Sequence, residues 1–123
     1  MVKILLVDDE PDIVYLLKRI LQKEGHEVVE AYGGKEALSK TESEHPDIVL
    51  LDIMMADFNG WEVSRSLKSR EETKNIPIVM LTVRTSEDSV KKSLEYAHAD
   101  AHLGKPASGR DILGVIDSVL SRN

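Results

Sequence analysis

Residues 3–9 read Lys-Ile-Leu-Leu-Val-Asp-Asp (KILLVDD), a near-continuous apolar run that stops at two adjacent carboxylates. The figure returns at 47–52 (DIVLLD), which ends on Asp52, and at 76–82 (IPIVMLT), which ends on Thr82. Short apolar runs without alternation suit strands buried on both faces, and such strands belong to parallel sheets covered by helices. EVVEA at 27–31 and DAHL at 100–103 complete five candidate strands, the last leading through Gly104 to Lys105. Between the first two strands, Ile13, Leu16, Leu17, Ile20 and Leu21 recur at helical spacing, and Gly25 follows where a left-handed cap ends a helix. A helix is therefore predicted over about 10–24, with others near 34–43, 60–72, 87–97 and 108–121. The last carries Ile112, Ile116, Val119 and Leu120 on one stripe, and Ser108 with Asp111 forms a capping-box pattern at its start. Five strand–helix alternations with short right-handed crossovers predict an α/β flavodoxin-like (βα)5 three-layer sandwich, its parallel five-stranded sheet in the order 2-1-3-4-5. The first, third and fourth strands are expected at its centre.

With 123 residues the chain is expected to form one domain, 1–123, large enough to bury a core without a staple. Apolar residues at 41% and charged residues at 31% are those of an ordinary globular protein. A net charge of −6 argues against direct nucleic-acid or anionic-lipid binding. The chain has no cysteine, no apolar stretch approaching the roughly 20 residues of a membrane helix and no signal-peptide layout, so a cytoplasmic location is expected.

Parallel strands put their C-terminal ends on one edge, where open α/β sheets bind ligands. Asp8 and Asp9, Asp52, Thr82 and Lys105 each follow such an end. In the order 2-1-3-4-5 the first and third strands are neighbours, so Asp8-Asp9 and Asp52 share a crevice. Two carboxylates about 4 Å apart repel by about 4 kcal/mol at an effective dielectric near 20, which a bound cation relieves. Oxygen ligands with open positions favour Mg²⁺, and a carboxylate beside it can attack phosphorus. Lys105 then pairs with phosphoryl oxygens, and Thr82 donates a hydrogen bond to one of them. Each residue alone has a plainer explanation: Asp8-Asp9-Glu10-Pro11 suits a helix start, and an Asp after a strand suits a turn. Four coincidences at four strand ends are harder to explain that way.

These motifs, DDE near the N-terminus, LLDIMMADFNGWE at 50–62, MLT ending at 82 and LGKP ending at 106, resemble the response regulator receiver domain of two-component signalling along the whole chain. The resemblance implies that Asp52 is the phosphoacceptor and that Asp8, Asp9, Asp52 and the main-chain carbonyl of Met54 hold Mg²⁺. It also implies that Thr82 is the switch hydroxyl, that Lys105 binds phosphate, and that the Lys105–Pro106 bond is cis. Receiver domains share the strand order above, so topology and resemblance are not independent. The implied partners are a sensor histidine kinase or phosphotransfer protein and a downstream protein target, with the domain a monomer or weak dimer that assists its own phosphotransfer and dephosphorylation.

Several residues depart from the family's pattern. Ala56 stands for a frequent proline, Val83 for a small residue, His98 for glycine and Ala107 for phenylalanine. His102 occupies the place of the aromatic that swings inward on activation, and Ala101 that of an Asp used in one mode of dimerisation. Trp61 is expected to be a packing residue. The main alternative function is a Mg²⁺-dependent aspartyl-nucleophile phosphohydrolase; such enzymes of the haloacid dehalogenase family carry a second Asp two residues after the nucleophile, where this chain has Met54. A nucleotide switch lacks its phosphate loop, neither GxxxxGK[ST] nor GxGxxG being present.

Overall fold

Strands form where the apolar runs lie: β1 Lys3–Val7, β2 Glu27–Ala31, β3 Ile48–Leu51, β4 Ile78–Thr82 and β5 Ala101–Gly104. Every pairing is parallel and the order is β2-β1-β3-β4-β5, as predicted. The computed structural model describes residues 2–105 and 107–122, so the expected cis Lys105–Pro106 bond lies outside the described residues. The helices are α1 Pro11–Lys23, α2 Gly34–Glu44, α3 Gly60–Lys68, α4 Glu87–Lys91 and α5 Gly109–Leu120.

Successive side chains of a strand point to opposite faces, and here both faces are apolar. Ile4, Leu6, Ile48, Leu50, Val79 and Leu81 pack with Val14, Leu17 and Leu21 of α1 and Ile112, Ile116 and Val119 of α5. Leu5, Val7, Val49, Leu51, Ile78 and Met80 pack on the other side with Ala37 of α2 and Trp61, Val63 and Leu67 of α3. Burying each such side chain contributes about 1.5–3 kcal/mol, which makes the central strands a rigid platform for the polar residues at their C-terminal ends.

The helix ends show their causes. Pro11 opens α1. At its other end Gly25 sits at φ 88°, with the His26 N–H donating to the Leu21 carbonyl and the Gly25 N–H to the Gln22 carbonyl, the predicted left-handed cap. Ser108 and Asp111 make the expected capping box of α5. Helix α3 stops at Lys68 instead of reaching 72: the Arg70 N–H folds back onto the Leu67 carbonyl at 3.3 Å, and the buried Thr73 hydroxyl donates to the same oxygen at 2.6 Å. The helix expected over 87–97 changes character midway: after α4 the backbone widens into a π-helical turn over Lys92–Tyr96, closed by the Ala97 N–H on the Lys92 carbonyl at 3.0 Å. His98 comes next at φ 57°, the left-handed position its substitution for glycine implies. Among the described residues no helix is long and apolar enough to cross a membrane.

Candidate functional site

The parallel register pairs Val7 with Leu51, Leu51 with Met80 and Thr82 with Gly104, so β1, β3, β4 and β5 end along one edge. Hydrogen bonding continues one residue further: the Asp52 N–H donates to the Val7 carbonyl at 3.0 Å, and the Lys105 N–H to the Thr82 carbonyl at 2.8 Å. Asp8, Asp9, Asp52, Thr82 and Lys105 are thereby brought together as predicted.

Asp8 and Asp52 are buried, and one carboxylate oxygen from each of Asp8, Asp9 and Asp52 lies within 4.8 Å of the others. Three hard oxygen ligands so close suit a small divalent cation that keeps waters in its remaining positions. The Lys105 ammonium pairs with Asp8 and lies 3.4 Å from Asp52. Burial works against its charge, yet the hydrogen bond to Asp8 and the charges of Asp52 and Asp8 outweigh it and hold its pKa above the usual lysine value. The Thr82 hydroxyl is fully buried and accepts from the Arg84 N–H at 3.3 Å.

The loop between β3 and α3 adds contacts of its own. Met54, whose carbonyl the resemblance implies as a ligand, donates its N–H to Asp52 Oδ1 at 3.3 Å. Ala56 donates its N–H to Asp9 Oδ2 at 3.1 Å, a bond that the proline it replaces has no proton to make. Val83 is 61% exposed.

His102 is half-buried, with both ring nitrogens bonded: Nδ1 lies 2.9 Å from Ser93 Oγ and Nε2 2.8 Å from the Arg84 carbonyl. A carbonyl only accepts, so in the neutral ring Nε2 carries the proton and Nδ1 accepts from the Ser93 hydroxyl. The Ser93 oxygen in turn accepts from the Trp61 indole N–H at 2.9 Å. A directed chain thus runs from Trp61 through Ser93 and His102 to Arg84, whose amide holds the Thr82 hydroxyl. Trp61 is the packing residue expected, but its link to His102 is not readable from the sequence.

Sequence reasoning also missed Gly60. A Cβ there would lie 2.2 Å from the Asp52 carbonyl oxygen and 2.8 Å from Ile53 Cα, so α3 begins in direct contact with the backbone that carries Asp52. Asn59 caps α3 by accepting from the Glu62 N–H, which makes the Asn59-Gly60 pair the signal that could have found it.

The response regulator receiver domain family matches residues 4–117. The chain is 40% identical over 121 residues to the alkaline phosphatase synthesis transcriptional regulatory protein PhoP of Bacillus subtilis, covering 98% of this chain but only 49% of that protein, about half its length. It is 35% identical to the protein PilH of Pseudomonas aeruginosa, covering 98% of this chain and 99% of that protein. Among solved structures, a CheY-like response regulator receiver domain protein from Methanospirillum hungatei superposes with a TM-score of 0.90 at 34% identity, over 98% of this chain and 94% of that one. With the family matched across nearly its whole length and the acidic crevice formed at the sheet edge, the chain belongs to the response regulator receiver domains, the phosphoacceptor modules of two-component signalling.

Proposed function

We propose that Asp52 is the phosphoacceptor of this receiver domain and that residues 1–123 act as one cytoplasmic signalling unit. The observation that carries this reading is the convergence of Asp8, Asp9 and Lys105 on the buried Asp52 carboxylate. An Asp52 oxygen attacks the phosphorus of a phosphohistidine on a sensor kinase or phosphotransfer protein. A P–O bond forms as the P–N bond breaks, and the bonding pair returns to the nitrogen of a phosphohistidine ring protonated on its other nitrogen, giving an acyl phosphate on Asp52 and neutral histidine on the donor. Lys105 offsets the charge on the phosphoryl oxygens, and Thr82, released from the Arg84 amide, donates its hydroxyl to one of them. Asp8, Asp9, Asp52 and the Met54 carbonyl would hold Mg²⁺, which would supply the neutralising charge that lets an anion approach three carboxylates. The same groups assist attack by water on the phosphorus, which breaks the acyl P–O bond, releases inorganic phosphate and returns Asp52 to its carboxylate.

His102 is the proposed switch partner of Thr82, because it holds the carbonyl of the residue whose amide holds the Thr82 hydroxyl. The altered surface then binds a downstream protein target, with the domain a monomer or weak dimer. Acetyl phosphate with Mg²⁺ tests the phosphoacceptor: intact-mass measurement is expected to show one added phosphoryl group on the parent, none after chelation and none on Asp52→Asn. Undiminished incorporation in Asp52→Asn overturns the reading.

A further inference from the structure

We infer that Asp57 is a positioning residue for the acidic cluster: its carboxylate ties the β3–α3 loop to the N-terminus of α2, and that tie sets where Ala56 and Met54 meet Asp9 and Asp52. The inference rests on the reading of the cluster as a cation and phosphoryl site.

Helix α2 starts from Gly33, which has no side chain to satisfy its first amides. Asp57 supplies the cap from another element: Oδ1 accepts from the Gly34 N–H at 2.8 Å and Oδ2 from the Lys35 N–H at 3.1 Å. Oδ1 also accepts from the Phe58 N–H in its own loop at 2.8 Å. A carboxylate on amides at a helix N-terminus is held by charge-assisted bonds and by the helix dipole, so the tie is firm although Asp57 is exposed.

The far end of the loop is fixed by Asn59 on α3 and by the Gly60 N–H on the Ile53 carbonyl at 2.8 Å. Between those anchors and Asp52, the loop reaches the cluster through two amides: Met54 on Asp52 and Ala56 on Asp9. Ala56 is bonded covalently to Asp57. Releasing Asp57 from α2 frees the apex of the loop, and the Ala56 N–H moves with it. Asp9 then loses the donor that orients one of its oxygens. Groups that orient metal-binding carboxylates in this way change metal affinity about 10–100-fold when removed.

The test separates a positioning role from mere capping of α2. Mg²⁺ binding is measured by calorimetry for the parent, Asp57→Ala and the double variant Gly33→Ser with Asp57→Ala, together with melting temperature and amide exchange at Met54 and Ala56. Gly33 has extended backbone, and Ser at that position gives α2 a cap of its own. Asp57→Ala is expected to weaken Mg²⁺ binding about tenfold or more and to speed exchange at Ala56. Adding Gly33→Ser is expected to restore the melting temperature but not the affinity. Recovery of both together overturns the inference, because Asp57 would then act only through α2, and so does parental affinity in Asp57→Ala. If Asp57→Ala does not fold, Asp57→Asn, which keeps one acceptor oxygen, decides by the same criterion: weakened binding supports the inference and parental binding overturns it. A parent that binds no Mg²⁺ overturns the cation reading itself and the positioning role with it, an outcome distinct from a parent that binds and variants that bind equally.

Discussion

Two single residues carry opposite constraints on the site. At Gly60 the constraint is space, since a Cβ would sit 2.2 Å from the Asp52 carbonyl oxygen, and that atom is rigid backbone. Gly60→Ala must push α3 or the Asp52 backbone aside. The expected cost is about 1–3 kcal/mol of stability, with slower acetyl phosphate labelling than the parent; an unchanged melting temperature and rate would show that α3 moves freely. At His102 the constraint is hydrogen bonding. Turning the ring inward gives up the Ser93 and Arg84 bonds together and buries a side chain smaller and more polar than Tyr. Beryllofluoride, a phosphoryl mimic, is therefore expected to shift the resonances of α4 and β5 less in the parent than in His102→Tyr. Equal shifts in both proteins would mean that the ring already moves or does not matter.

At the scale of elements, strands and site residues were legible for one physical reason. An apolar run long enough to cross a buried sheet must end at its edge, so the polar residue after each run is placed by the run itself. Asp8, Asp52, Thr82 and Lys105 were found that way. Asp57, Ser93 and Arg84 were not, because their partners lie far along the chain, 23 residues for Asp57 to Gly34 and 32 for Ser93 to Trp61, and no periodicity encodes such pairings. The π-helical turn over Lys92–Tyr96 was equally hidden, since 87–97 has ordinary helical composition. The tie between the β3–α3 loop and α2 yields an element-scale prediction. Donation from the Gly34, Lys35 and Phe58 amides holds the Asp57 carboxyl below its usual pKa. A carboxyl depressed in the folded state stabilises it above the unfolded pKa, and that contribution fades as pH falls through the folded value. The stability difference between the parent and Asp57→Asn, read from denaturant midpoints, is thus expected to be largest near neutrality and to shrink below about pH 4. A difference that stays constant into acid would assign the contact to packing instead of charge.

On the scale of the whole molecule, the crevice concentrates like charge where solvent screens it least. Three carboxylates face one ammonium, and Asp8 and Asp52 are 2% and 6% exposed. Two like charges about 4 Å apart at an effective dielectric near 20 repel by about 4 kcal/mol, a sizeable share of the roughly 5–15 kcal/mol that holds a domain folded. Lys105 offsets part of this, so the net penalty is smaller, but its sign is fixed by the excess of carboxylates. Sites shaped by function commonly sacrifice stability in this way. Asp9→Asn removes one negative charge and retains an acceptor for the Ala56 amide, which leaves the loop contact in place. In the presence of a chelator at neutral pH the variant is expected to melt above the parent, by about 3–5 °C for each 1 kcal/mol of relief. Mg²⁺ should reverse the order. Binding only to the folded state stabilises the parent by about 2.7 kcal/mol when free Mg²⁺ is 100 times its dissociation constant, and the variant, short of a ligand charge, gains less. Melting curves of both proteins across a Mg²⁺ series therefore cross. Curves that keep one order throughout would mean either that Lys105 already neutralises the cluster, with the parent higher even in chelator, or that the cation does not bind there, with the variant higher at every concentration.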